Sequence, residues 1–191
     1  MTRSAAVRSL AAALGVGALV GLVVAGLGGR IAMRLVALAD DREDFGQFTA
    51  GGDVVGEVTL AGTLFILVLG VGQGVLAAAL YLGMRRWLPA RSSTLKLAFV
   101  AFLLGVGFTQ IVNGNEHDFL FLDTAVSLVA FGLVIILVGV LIPTLVERVA
   151  PRRISRSWWG RGTVGAVVLA ALVLGVLSVI HAFDVASDGL V

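Results

Sequence analysis

Charged residues are sorted along this chain into alternating basic and acidic stretches, which long apolar segments separate. Eleven of the 14 Lys and Arg residues lie in three stretches, at residues 3–8, 85–96 and 148–161. Eleven of the 12 Asp and Glu residues lie in the alternate stretches, at 40–57, 116–123 and 184–188. Because basic loops stay on the cytoplasmic side of a membrane, this alternation predicts an integral membrane protein and indicates its orientation.

Composition supports this class of protein. The chain is 59% apolar and only 14% charged, with a mean hydropathy of +1.05, whereas a soluble domain keeps about a quarter of its residues charged. The net charge of +2 is divided among three basic stretches, which is typical of a topology signal and predicts no nucleic-acid partner. Thirteen arginines against one lysine, with abundant Ala, Gly and Val, indicate a GC-rich genome and predict the plasma membrane (inner membrane) of a bacterium.

Five apolar segments give the expected architecture. They lie at about residues 9–39, 60–82, 97–114, 119–146 and 162–183. A bilayer core needs roughly 20 residues of helix, and helices satisfy their own backbone hydrogen bonds within lipid. The chain is therefore predicted to be a single all-α domain, residues 1–191, forming a multi-pass bundle of five transmembrane helices. Basic loops on the inside place the N-terminus in the cytoplasm and the C-terminus outside the cell.

Residues 40–59 form the longest connection, and this topology places it outside the cell. The segment holds four glycines together with Phe45 and Phe48. A flexible extracytoplasmic connector is the expected structure. A partly re-entrant or interfacial loop is the alternative, since long loops are often functional.

Small residues at four-residue spacing predict where helices pack. No hydrophobic driving force holds helices together within lipid, so close packing there depends on small residues that let backbones approach. The first segment carries one such stripe, and the second carries a shorter pair. The candidate helix-packing residues are Gly17, Gly21, Ala25 and Gly29 in the first segment and Gly70 and Gly74 in the second.

The candidate functional site is a polar cluster expected on the outer side of the bundle. Its members are Arg30, Arg34, Asp123, His181 and Asp184. The two arginines are four residues apart and project from one side of the first helix. At the outer interface they can reach lipid headgroups or pair with a carboxylate. Asp123, in the first turns of the fourth segment, is the expected partner.

Other polar residues give weaker signals. Gln73 and Gln110 are expected to form hydrogen bonds between helices. His117 and His181 lie near carboxylates, but their spacing does not define a metal site, and no cofactor is predicted. The chain has no cysteine, no phosphate-binding loop and no hydrolase nucleophile motif. We therefore expect no catalytic residues and a protein that is not an enzyme.

Two interpretations of function stay open at this point. In the first, the chain is a non-catalytic membrane bundle or accessory subunit that assembles with other membrane proteins or as a parallel homo-oligomer. In the second, it is a small transporter or channel subunit whose outer polar cluster lines a vestibule. A structure distinguishes the two, because the polar cluster either surrounds a cavity or is closed by direct ion pairs.

Overall fold

The computed structural model describes residues 3–39, 48, 54, 58–87, 92–120, 122–150 and 158–188, and the described part of the chain is almost entirely helical. Outside the helices, Phe48 and Val54 form an isolated antiparallel bridge. The elements in chain order are α1 (Arg3–Val20), a π-helical segment (Gly21–Leu27), α2 (Gly28–Ala39), α3 (Leu60–Trp87), α4 (Ser92–Gly114), a 3-10 segment (Glu116–Leu120), α5 (Thr124–Val149) and α6 (Trp158–Asp188). The first three elements follow one another without a break and form one long helical rod.

Five helices are long and apolar enough to cross a membrane, as the hydropathy pattern predicts. Their membrane-length portions are Val7–Ala39, Leu60–Arg85, Ser93–Gly114, Thr124–Val149 and Gly162–Ser187. Only 17–33% of each apolar window is buried inside the bundle. The remaining apolar side chains cover the outer surface, and a soluble protein rarely exposes apolar patches of such extent.

Membrane-length helices that follow one another in the chain alternate in direction, so the charge pattern of the sequence becomes a difference between the two ends of the bundle. We call the end with Ala39, Leu60, Gly114 and Thr124 the acidic end, after the acidic stretches that adjoin it. The opposite end is the basic end. Several helices continue past the predicted apolar ranges there, and α3 reaches Trp87.

The predicted start of the fourth helix is wrong by five residues. The apolar segment begins at Phe119, but residues Glu116–Leu120 form a 3-10 segment and α5 begins at Thr124. The reason is the cap at Asp123, whose side chain accepts a hydrogen bond from the Val126 N–H at 2.8 Å. An N-cap of this kind satisfies a backbone donor that the first turn of a helix cannot satisfy itself.

Glycines let α1 and α3 approach to backbone contact in the basic half of the bundle. A Cβ atom added to Gly17 would lie 2.5 Å from the Gly74 carbonyl oxygen, and one added to Gly21 would collide with the Gly70 carbonyl oxygen. The π-helical segment then changes the register. Its wider turn holds an extra residue, so the next glycine against α3 is Gly26, five residues after Gly21 and not four.

Further glycine contacts join α4 to its neighbours. A Cβ on Gly105 would collide with the backbone of Ala171 in α6, and one on Gly175 would lie 2.6 Å from the Gly105 Cα. On the opposite side of α4, the Gly139 position of α5 accommodates Val100 in the same way, with 2.9 Å to its Cγ2. Small residues therefore hold α6 to α4 and α4 to α5.

Candidate functional site

A cavity of about 610 Å³ lies between α2, α3, α4 and α5 in the half of the bundle nearer the acidic end. Its polar lining comes from four helices and the 3-10 segment. The polar residues are Arg30, Arg34, Gln73, Gln110, Asn115, Asp118 and Ser127. Val54 and Val58, from the long connection between α2 and α3, also line it. Apart from Phe48 and Val54, residues 40–57 lie outside the described residues. The predicted character of this loop lies outside them as well.

The cavity exists because α2 and α3 separate beyond the glycine contacts. Gly21 and Gly26 hold the first rod against Gly70, but a Cβ on Gly29 would lie 4.0 Å from Ile66, an ordinary side-chain distance. Past the π-helical segment, α2 packs mainly on α5 and has few contacts with α3. Ala25 and Gly29, the upper half of the predicted stripe, line the cavity that this divergence opens.

Arg30 is the cation whose hydrogen bonding is incomplete. Its Nε is buried and has no hydrogen-bond partner among the residues that the structure describes. Its Nη1 lies 3.9 Å from the Met33 sulfur, and a thioether is only a weak acceptor. A guanidinium donates hydrogen bonds and accepts none, and a buried charged donor without a partner is costly. The cavity beside it therefore favours an acceptor or an anion.

Two amide side chains face the same space. Gln73 and Gln110 line the cavity, and among the described residues neither makes the interhelical hydrogen bond that the sequence predicted. Gln73 lies 13 residues from the start of α3, which corresponds to a depth of about 20 Å along the helix. The cavity thus extends from the acidic end to roughly the middle of the bundle.

The predicted ion pair between Asp123 and Arg30 or Arg34 is not formed. Asp123 is exposed, and its carboxylate caps α5 through the Val126 N–H. In the part of the chain that the structure describes, Asp123 forms no ion pair with Arg30 or with Arg34. The cap competes directly for this carboxylate, because a helix N-terminus offers both a backbone donor and a favourable dipole. Asp123 therefore lies outside the cavity, whereas both arginines line it.

His181 of the candidate cluster pairs with a carboxylate outside the cluster. His181 Nε2 lies 3.2 Å from Glu116 Oε1, which ties α6 to the 3-10 segment, and both side chains are about half exposed. Asp184 is exposed on α6. In the described ranges, no group of three His, Asp or Glu side chains is close enough to hold a metal ion. The five-residue cluster therefore separates into two arginines that line the cavity, a helix cap at Asp123 and two surface residues of α6, His181 and Asp184.

Sequence reasoning missed three residues of the lining. Asn115 and Asp118 belong to the turn after α4, and Ser127 lies in the first turn of α5. Ser127 is buried. The only available signal was the polar character of this turn, because nothing in the sequence shows that it lines a cavity together with residues of α2 and α3.

A closely packed core forms the floor of the cavity towards the basic end. Tyr81, Leu95, Phe99 and Ile142 are at most 1% exposed, and the rings of Tyr81 and Phe99 meet edge to face with centroids 5.2 Å apart. The cavity is therefore a dead end in this conformation and does not continue as a pore.

Below the floor, polar residues join three helices at the basic end. The Tyr81 hydroxyl donates to Glu147 Oε1 at 2.7 Å, and Arg85 Nη1 lies 4.0 Å from the same oxygen. Arg85 also donates to the Ala150 carbonyl at 2.8 Å, and Lys96 donates to the Thr144 hydroxyl at 3.1 Å. Glu147 is the one acidic residue that adjoins a basic stretch. Its contacts with Tyr81 and Arg85 explain an acidic residue at this position.

Comparison with protein-family models, with curated proteins and with solved structures finds no match to this chain. Function is therefore inferred from the cavity and from the residues that line it.

Proposed function

We propose that this protein is a small, non-catalytic transporter subunit whose cavity is an outward-facing vestibule for a negatively charged ligand. Of the two interpretations that the sequence leaves open, an open cavity favours the vestibule over a bundle closed by ion pairs. The observation that carries the proposal is Arg30, which lines the cavity and whose buried Nε has no hydrogen-bond partner among the described residues.

The orientation of the protein is part of the proposal. The basic end lies in the cytoplasm, because 11 basic residues occupy stretches at that end and only Arg42 lies in a loop at the other. The cavity then opens towards the outside of a bacterial plasma membrane. In alternating access, an outward-open state must be closed towards the cytoplasm, and the closely packed floor below the cavity provides that closure. Transport to the cytoplasm would require the floor to open.

Cysteine accessibility tests the vestibule directly, because the chain has no cysteine of its own. In intact cells, we expect a membrane-impermeant thiol reagent to label Gln73→Cys, which lines the cavity near mid-membrane. Leu76→Cys is the matched control. It lies three residues away on the same helix, is 57% exposed and does not line the cavity, so lipid should shield it.

The charge of the reagent tests the anion preference. We expect an anionic thiosulfonate to label Gln73→Cys at least about tenfold faster than a cationic one, since tenfold corresponds to only about 1.4 kcal/mol of electrostatic preference. Arg30→Gln should remove most of the difference. Equal rates with both reagents, or no labelling of Gln73→Cys, would contradict the proposed function.

A further inference from the structure

We infer that the ligand of this vestibule is an amphiphilic anion, in which a carboxylate or phosphate head is joined to an apolar body. This inference rests on the proposed function, because it assigns a chemical class to the ligand of the same cavity. It depends on how charge, apolar surface and volume are arranged around Arg30.

Positive charge is confined to one wall of the cavity. Arg30 and Arg34 both belong to α2, and they are one helical turn apart. Asp118 is the only acidic residue of the described lining. The described lining therefore carries a net charge of +1 from two arginines and one aspartate. A single anionic head on the α2 wall would neutralise it.

The walls that face α2 are apolar at the same depth. Arg30 lies nine residues from the acidic end of α2, a distance of about 14 Å along the helix. Leu69 of α3 lies nine residues from its own acidic end, and Phe131 and Val134 of α5 lie seven and ten residues from theirs. All three line the cavity. An occupant at the level of Arg30 therefore meets a cation on one side and apolar side chains on the others.

These surroundings disfavour a small inorganic anion. A hydrated ion at the level of Arg30 loses water against the apolar walls that face α2, and desolvation of a charge is costly where apolar groups replace the water. An apolar body on the ligand reverses this balance, because each buried CH₂ group contributes about 0.8 kcal/mol. The cavity volume also fits an organic ligand. It is about 610 Å³, and sites for drug-sized organic ligands typically measure roughly 300–1,000 Å³.

Protection of Gln73→Cys from labelling tests the ligand class on the full chain in phosphatidylcholine nanodiscs. Three probes separate the two parts of the ligand. Octanoate has both head and chain, octanol has the chain without the charge, and acetate has the head without the chain. We expect octanoate to slow labelling at least about tenfold at a concentration where octanol and acetate have little effect. Arg30→Gln should reduce the effect of octanoate to that of octanol.

A pair of neighbouring residues on α5 tests the apolar wall. Val134 lines the cavity, whereas Leu133 does not and is 57% exposed on the outer surface. Val134→Ala removes two methyl groups from the wall and should weaken protection by octanoate about fourfold or more, which is the factor expected for one CH₂ group. Leu133→Ala should leave protection unchanged.

Two kinds of molecule have this combination of an anionic head and an apolar body, a soluble organic acid and an anionic lipid of the bilayer. Nanodiscs with and without phosphatidic acid distinguish them. If phosphatidic acid alone protects Gln73→Cys, and Arg30→Gln abolishes that protection, the ligand enters from the bilayer. If only added octanoate protects, the ligand enters from the aqueous side.

Each failure has a distinct signature. Protection by acetate equal to that by octanoate would overturn the amphiphile and leave an anion vestibule. Protection by octanol equal to that by octanoate would overturn the role of charge at Arg30. Labelling of Gln73→Cys that no probe slows would overturn the ligand class and leave a water-filled vestibule. Absence of labelling altogether would overturn the proposed function itself.

Discussion

Arg30 and Asp123 show how differently two ionisable residues in the acidic half of the bundle can be used. Arg30 lines the cavity, and its buried Nε has no hydrogen-bond partner among the described residues. The Asp123 carboxylate instead accepts a hydrogen bond from the first turn of α5. The difference follows from their backbone positions. Arg30 lies inside a continuous helix whose backbone donors are satisfied, and Asp123 lies just before a helix whose first donors are not.

At the residue scale, we predict that Asp123 contributes to stability as a helix cap. Asp123→Ala should lower the free energy of unfolding by about 0.5–2 kcal/mol, as loss of an N-cap does. Asp123→Asn should retain most of the stability, because Asn caps about as well. Unfolding in detergent, followed by circular dichroism, measures both changes. Equal losses from Ala and Asn would indicate that the charge matters more than the cap.

The same variants test the absence of an Arg30–Asp123 pair. The effects of Arg30→Ala and Asp123→Ala on stability should add to within about 0.5 kcal/mol, as for residues without a shared contact. A double variant that loses much less than the sum would show that the two side chains are coupled.

At the scale of elements, glycines decide which helices touch and where they part. The antiparallel pair α1 and α3 is in backbone contact from Gly17 to Gly26, and the pair separates where α2 begins. One extra residue in the π-helical segment shifts the contact face at this point. The same segment therefore ends the close packing and opens the cavity.

We predict that three glycines of α3 respond differently to alanine. A Cβ on Gly70 or Gly74 meets the backbone of Gly21 at 2.6 Å or less, whereas a Cβ on Gly72 meets nothing within 4 Å. A side chain can relieve such a contact by changing rotamer, but backbone atoms within a helix cannot. Gly70→Ala and Gly74→Ala should therefore destabilise the bundle by about 1–3 kcal/mol or more, as overpacking does.

Gly72→Ala is the matched control on the same helix. It should be neutral or stabilise by up to about 1 kcal/mol, because alanine is the better helix former. Melting temperature in detergent compares the three variants at equal protein concentration. Equal melting temperatures for all three would show that α1 and α3 do not pack through these glycines.

At the scale of the whole molecule, charge and packing divide the bundle into two unlike halves. The half nearer the acidic end encloses the cavity, and the half nearer the basic end has a closed core with Tyr81 and Arg85 on Glu147. A protein inserted in both orientations would present the cavity to both sides of the membrane. The bias of basic residues predicts one orientation only.

Single-cysteine labelling of whole cells tests this orientation. Ser93 and Ser187 are exposed at the basic and acidic ends of α4 and α6. Ser187→Cys should react with an impermeant reagent in intact cells, and Ser93→Cys should react only after the cells are opened. Equal labelling of both in intact cells would contradict the proposed topology.

The sequence by itself determined the class of fold, because hydropathy and helix length are local quantities. Each apolar segment reports its own preference for lipid, and five such segments predicted five helices of membrane-spanning length. Arg30 and Arg34 could also be placed on one side of one helix from their spacing alone. These inferences needed no knowledge of which helices are neighbours.

The position of the site follows from tertiary structure. A cavity forms where helices separate, and the residue composition of each helix does not show where that happens. The register shift at Gly26, the place of Asp118 in the cavity lining and the pairing of His181 with Glu116 all join residues of different elements. A four-residue spacing cannot anticipate a π turn that adds one residue. Topology can place a carboxylate and an arginine at the same end of a bundle. The two form an ion pair only if no nearer donor, such as a helix N-terminus, already binds the carboxylate.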